Sequence, residues 1–213
     1  MKNLGITQIS EFTYSLKIDG DYVSVLCHSI KKILKSIYYD EEKSVVFFSA
    51  ESVLPFKEFL LEHKTHKKCI KMIDDLTKQM TYLKNIGYGF YGFDVNDILT
   101  IDNTFIFCRT QHLLPVIEDN FIFYEPIKRP YFSNPEIMKL TTLPSEINYK
   151  SSYYSLGVLV VLYLLNNYLL VGNEIKSVEE IETILMPIYN TKIYWFIKRC
   201  LEENIDKRVL LLI

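Results

Sequence analysis

NIGYGFYGFDVNDIL, residues 85–99, contains Gly87-Tyr88-Gly89-Phe90-Tyr91-Gly92, a literal G-x-G-x-x-G. A dinucleotide-binding loop must follow a strand and open a helix, so that the helix N-terminus faces the pyrophosphate. Here that order is reversed. Upstream, CIKMIDDLTKQMTYLKNIG sets Cys69, Ile73, Leu76, Met80 and Leu83 at alternating spacings of four and three, which is one face of a helix. Gly87 and Gly89 come just after the last periodic residue, where helices end. Downstream, DILTI and TFIFC are joined by Asp102-Asn103, a hairpin signal. The helix dipole points the wrong way for a phosphate, so the glycines are not read as an anion cradle.

Toward the N-terminus, residues 6–27 alternate loosely in FTYSLKI and YVSVLC, with Asp19-Gly20-Asp21 between them, and predict a hairpin. KSIYY and SVVFFSA predict a second strand pair around the charged turn Asp40-Glu41-Glu42-Lys43. After Pro55 the character changes, and PFKEFLLEH reads as a short helix. Toward the C-terminus, residues 130–149 read as a proline-containing loop and 153–171 as a buried helix. Ser177-Val178-Glu179-Glu180 reads as a capping box, and IYWFIKRCLEE as the last helix. The class is α+β, with strands first and helices after.

Composition narrows the function. Apolar residues make up 49% and Gly and Pro are seven each, so the chain reads as folded along its length, without a long linker. With 24 Lys+Arg against 26 Asp+Glu, the balance is not that of a dedicated nucleic-acid binder. The densest basic stretch, HKTHKKCIK at 63–71, reads as a solvated helix start. The N-terminus lacks the apolar core of a signal peptide. The most apolar run, 156–172, is broken by Asn166-Asn167 and is shorter than the roughly 18 residues a membrane span needs. Cys27, Cys69, Cys108 and Cys200 are widely spaced without a CxxC, which suits free thiols in a reducing, cytoplasmic compartment.

Several segments together resemble the eukaryotic protein kinases. YFSNPE is similar to their A-P-E motif, through Asn134-Pro135-Glu136. SSYYSLGVLVVLYLL resembles their D-x-W-S-L-G-V helix, and RCLEENIDKR their closing C-L-x-x-x-P-x-x-R segment. HSIKKILKSIYYDEEKSVVFFSAESVLPFKEFL resembles the H-x-N-I entry, two strands, hinge and first large-lobe helix. The resemblance covers roughly residues 28–213. It implies a kinase-like fold with a reduced β-rich small lobe (1–50) and a mainly helical large lobe (51–213). It also implies a buried ion pair between Glu136 and Arg208. Small kinase-like proteins of giant DNA viruses are similar in size and composition.

The resemblance also says where chemistry should be, and the residues there are wrong for it. Phosphoryl transfer needs a base, metal-holding carboxylates and a cation on the nucleotide. Aligned on H-R-D-L-K-x-x-N-I-L, the base falls on Gly92 and the metal-binding Asn on Asp97. The D-F-G aspartate falls on Cys108, followed by Arg109 and Thr110, and the V-A-I-K lysine on Leu26. The implied protein is a pseudokinase, needing no cofactor and acting as a scaffold or regulator for another protein, such as a kinase or its substrate. One alternative is a divergent ATP- and Mg²⁺-dependent serine/threonine phosphotransferase using Asp94 as base and Asp97 for the metal. Another is a structural virion component that keeps the fold.

Other features take their plainer reading. His63, His66 and Cys69 could ligate zinc but lack a fourth ligand. Cys108 reads as a buried strand cysteine. His28, His63, His66 and His112 show no triad-like context, and FIFYEPIKRPYF at 121–132 reads as packing before it reads as a partner surface.

Overall fold

The computed structural model describes residues 5–61, 64–171 and 174–210. The chain opens with β1 (Ile6–Ser10) and β2 (Thr13–Lys17), then helix α1 (Val23–Ile33), then β3 (Ile37–Asp40) and β4 (Val45–Ser49). The four strands form one antiparallel sheet in the order β1-β2-β4-β3. Tyr14, Leu16, Val46 and Phe48 alternate onto its buried face, as period-two strands require.

YVSVLC, expected as the second arm of a hairpin, is helical. Gly20 (φ 105) and Tyr22 (φ 59) turn the chain out of β2 and into α1. Six residues of loose alternation do not separate strand from helix. The helical period becomes legible only when Leu26, Cys27 and Ile30, all buried, are read on through HSIKKI. Leu26 is therefore a fully buried helix residue, not a strand position standing in for a lysine.

After β5 (Val53–Pro55) and the single turn α2 (Phe56–Phe59) comes α3 (His66–Asn85), capped by the Thr65 hydroxyl, which accepts from Lys68 N at 3.2 Å. Its buried face includes Cys69, Ile73, Leu76, Met80 and Leu83, as the spacing predicts. The glycine-rich stretch then forms β6 (Tyr88–Phe90). The hairpin follows as β7 (Ile98–Ile101) and β8 (Thr104–Phe107), turned by Asp102 and Asn103, both at positive φ. β9 (Leu113–Pro115) returns to pair with β6, and β5 extends the hairpin to three strands.

The expected loop at 130–149 carries more structure than its prolines suggested. α4 (Pro135–Met138) is capped by Asn134, and β11 (Ser145–Asn148) pairs with β10 (Asn120–Phe123). α5 (Ser151–Leu165) is buried on nearly all sides but ends at Leu165, short of the expected 171, because Asn166 is left-handed (φ 53). Gly157 lets it approach the helix at 192–200 closely; a Cβ there would lie 2.9 Å from Cys200 Cβ. A short β12–β13 pair (Leu170–Val171, Glu174–Ile175) leads to α6 (Val178–Leu185), which has the expected Ser177–Glu180 capping box, and then to α7 (Lys192–Cys200). The fold is α+β, and one continuous cluster of buried side chains runs from Ile6 to Cys200. No helix among the described residues is long and apolar enough to cross a membrane.

A polar clasp joins the sheet-bearing and helical parts. Gln79 on α3 accepts from Phe107 N (2.7 Å) and donates to Phe107 O (3.0 Å) and to Ser29 Oγ of α1 (2.8 Å). One turn earlier, Asp75 accepts from Phe105 N at 3.0 Å. Residues four apart on the helix thus match residues two apart on the strand, and side chains replace the missing neighbour of β8.

At the far end, Arg208 is fully buried and meets Glu136 in a two-pronged pair, both contacts 2.9 Å. Arg208 Nε also donates to Glu202 O (2.7 Å), and the guanidinium lies over the Tyr154 ring at 5.0 Å. The pair joins α4 to the chain's end across α5. Arg208→Ala, which removes these contacts and leaves Glu136 unpaired, should lower stability by roughly 3 kcal/mol or more. A urea midpoint equal to wild type would show that the pair carries no stability.

Candidate functional site

Of the residues singled out in the sequence, Gly92, Asp94, Asp97 and Cys108 gather at the turn between β6 and β7, whereas Leu26 lies in α1 and Glu136 and Arg208 pair with each other elsewhere. Asp94 and Asp97 cap each other across the turn. Asp94 N donates to Asp97 Oδ2 at 2.6 Å, and Asp97 N donates to Asp94 O at 3.0 Å. Cys108 is drawn in from the end of the hairpin, its N–H donating to Asp97 O at 2.8 Å. The local sequence allows this because the short 3-10 turn Val95–Asp97 closes between two strands, leaving the acidic side chains to satisfy its free N–H groups.

His112, which the sequence reading passed over, completes the cluster. It is almost fully buried, with Nδ1 2.7 Å from Asp97 Oδ2 and Nε2 4.0 Å from Asp94 Oδ2. Tyr91 N donates to His112 O (3.1 Å), and the two rings meet edge to face at 5.3 Å. Two polar atoms here are buried without a hydrogen-bond partner: Asp97 Oδ1 and His112 Nε2. Ligand atoms from Asp94, Asp97 and His112 all lie within 4.8 Å of one another. A signal for His112 existed only in three dimensions, since β9 must pair with β6 before residue 112 faces residue 97.

Gly92 lies at the edge of this cluster under a crossing segment. A Cβ on Gly92 would fall 2.4 Å from Pro130 Cγ and 3.1 Å from Phe132 O. The crossing segment is tied down on both sides. Phe132 N donates to Phe93 O at 2.9 Å, and Tyr131 N donates to Asp94 Oδ1. Farther on, Asn134 Nδ2 donates to Tyr91 O (2.8 Å) and Ser155 Oγ (3.2 Å), so the residue before Pro135 joins the turn to α5.

Electrostatics keep the neighbouring groups neutral. Burial, with the Asp97 charge second and opposed by Arg109, pushes the Cys108 thiol up to about 12. Burial, then Asp97 and Asp94, pushes the Tyr91 hydroxyl to about 12. Cys108 is therefore a buried, protonated thiol and not a reactive thiolate. Burial likewise raises Cys27 and Cys69 to about 12, and all four cysteines are free and buried.

An open cleft of about 540 Å³ lies beside the cluster, lined by Lys17, Asp19, Asp21, Cys108, Arg109 and Thr110 among others. Thr110 Oγ1 donates to Asp19 O at 2.9 Å and lies 2.6 Å from where a Cβ on Gly20 would be, so the two parts of the chain touch here. Neither Asp94 nor Asp97 lines this cleft. Elsewhere, His63 lies outside the described residues, while His66 is exposed and Cys69 faces the core, so these two do not share a site. In the strip 121–132, Phe121, Phe123 and Phe132 are buried in packing, whereas Tyr124 and Tyr131 are exposed. Compared with known proteins, the chain matches no family model and no curated sequence.

The tightness at Gly92 gives a direct expectation. Gly92→Ala must displace Pro130 or the 130–132 backbone, and should destabilise by about 1–3 kcal/mol, the usual range for overpacking. Chemical denaturation of the variant measures this, and unchanged stability would mean that the crossing segment is not held against Gly92.

Proposed function

We propose that this chain is a protein-kinase-like module without phosphotransferase activity, working as a scaffold or regulator by binding another protein. The closure at Gly92 carries the reading. By the sequence resemblance Gly92 takes the place of the catalytic base, and Pro130 and Phe132 fill the space that a base side chain would need. The other positions agree. Cys108, at the place of the metal-binding aspartate, is a neutral thiol, and Asp97 spends one oxygen on the turn and on His112. The β1–β2 turn, Glu11-Phe12, holds no glycine to cover phosphates.

Other observations support the fold half of the proposal. The order is strands, α1, two strands, α3, the β7–β8 hairpin and the buried α5. Glu136 and Arg208, the pair that the resemblance implies, meet through two hydrogen bonds of 2.9 Å. Lys17 ends β2 in YSLK, separated from α1 by five residues, and suits the strand-lysine place that Leu26 does not; it lines the cleft, 3.3 Å from Asp19. The surface left for a partner includes Tyr131 and Tyr168, both about half exposed with rings 6.3 Å apart, beside a pocket floored by Val158 and Leu162.

The convergence of Asp94 and Asp97 favours a second reading, a divergent ATP-dependent serine/threonine phosphotransferase. Against it stand the burial of Asp97 and the separation of both carboxylates from the cleft.

Thermal denaturation with millimolar ATP, with and without Mg²⁺, separates the two. A ligand at a hundred times its Kd adds about 2.7 kcal/mol, a readily visible shift. The scaffold reading expects no Mg²⁺-dependent shift and no phosphate transfer to a generic protein substrate. A Mg²⁺-dependent shift with transfer that disappears in Asp94→Asn would replace it with the enzyme.

A further inference from the structure

We infer that Asp94, Asp97 and His112 form a binding site for a divalent cation of the zinc type. The inference does not rest on the kinase-like reading, and the site is separate from the cleft that holds Lys17.

The imidazole carries the argument. His112 is almost fully buried and Nδ1 lies 2.7 Å from Asp97 Oδ2, a carboxylate oxygen that can only accept. The proton on that edge is therefore on Nδ1, and a neutral ring then carries its lone pair on Nε2. That atom is buried, has no hydrogen-bond partner, and faces Asp94 Oδ2 at 4.0 Å. A carboxylate behind one nitrogen and an open second nitrogen is the arrangement that orients metal-bound histidines and raises their basicity.

The distances suit a small cation. Tetrahedral zinc with bonds of about 2.0–2.1 Å holds neighbouring ligand atoms about 3.4 Å apart. The 4.0 Å gap closes by a slight turn of the Asp94 carboxylate, which is a quarter exposed and opens the site to water for the remaining coordination positions. Asp97 Oδ1, also buried and without a partner, supplies further negative charge. One imidazole with carboxylates selects zinc over magnesium, which prefers all-oxygen octahedra.

Such a cation would act as a clasp. Asp94 Oδ1 already accepts from Tyr131 N, so a metal joining Asp94 Oδ2 to His112 Nε2 would link the 94–97 turn, the residues before β9 and the segment crossing Gly92.

The test is equilibrium dialysis of the untagged full chain, first stripped with a chelator, against Zn²⁺ in a competing-chelator buffer. One zinc per chain is expected. Asp94→Asn keeps an oxygen for Tyr131 N but loses the anionic ligand, and should weaken binding about tenfold or more. Its metal-free melting temperature should match that of wild type. His112→Gln should abolish binding; if it does not fold, Asp94→Asn alone decides. Co²⁺ bound in place of zinc should show no thiolate charge-transfer band, because no cysteine is a ligand. Absence of stoichiometric zinc, binding unchanged by Asp94→Asn, or a thiolate band would each overturn the site.

Discussion

Helix α3 is the partner that the hairpin edge lacks, and the rest of the structure depends on that contact. β8 has β7 on one side only, so its other edge would bury unpaired amides. Each such buried group costs about 1–3 kcal/mol. Asp75 and Gln79 answer Phe105 N, Phe107 N and Phe107 O, and Gln79 spends its remaining proton on Ser29 of α1. A rise of about 1.5 Å per helix residue puts positions 75 and 79 about 6 Å apart. Two strand residues span nearly the same length. The match fixes the register of helix against strand, and so fixes where Cys108 leaves the hairpin and where Asp97 receives its N–H.

From that register the candidate site follows by short steps. The turn 94–97 must close between β6 and β7, and its two aspartates cap it. Capping uses one Asp97 oxygen and turns the Asp94 carboxylate toward Tyr131. The segment at 130–132 is then drawn across Gly92, where any side chain would block it. Asn134 and the Glu136–Arg208 pair hold the far end of the same segment against α5. The glycine at 92 and the segment packed over it are thus one structural fact seen from two sides.

Much of this was legible in the sequence, and the failures have a common cause. The α3 face, the Asp102-Asn103 hairpin and the Ser177 capping box are local patterns, and each appears where its spacing put it. The Glu136–Arg208 pair was legible only through resemblance, since nothing within 72 residues of chain announces it. YVSVLC misled because six residues suit both periods, and the deciding residue, Ile30, lies outside them. The part His112 plays, and the contacts of Asn134, were not legible for a different reason. Each acts through partners fifteen to forty-three residues away, in turns and caps that no local pattern brings together.

The G-x-G-x-x-G stretch illustrates what a pattern without context omits. Gly87 supplies a positive φ after α3, Gly89 lies under Phe121, and Gly92 lies under Pro130, so the three glycines answer three unrelated constraints. None of them presents N–H groups to an anion at a helix start. The chemistry of the region belongs to the side chains between and beyond the glycines, where two aspartates and a buried imidazole meet with one oxygen and one nitrogen left unpaired. Burial of such atoms is unfavourable unless something answers them. The same low-dielectric surroundings that keep Cys108 and Tyr91 protonated would strengthen the hold of this anionic pocket on a cation.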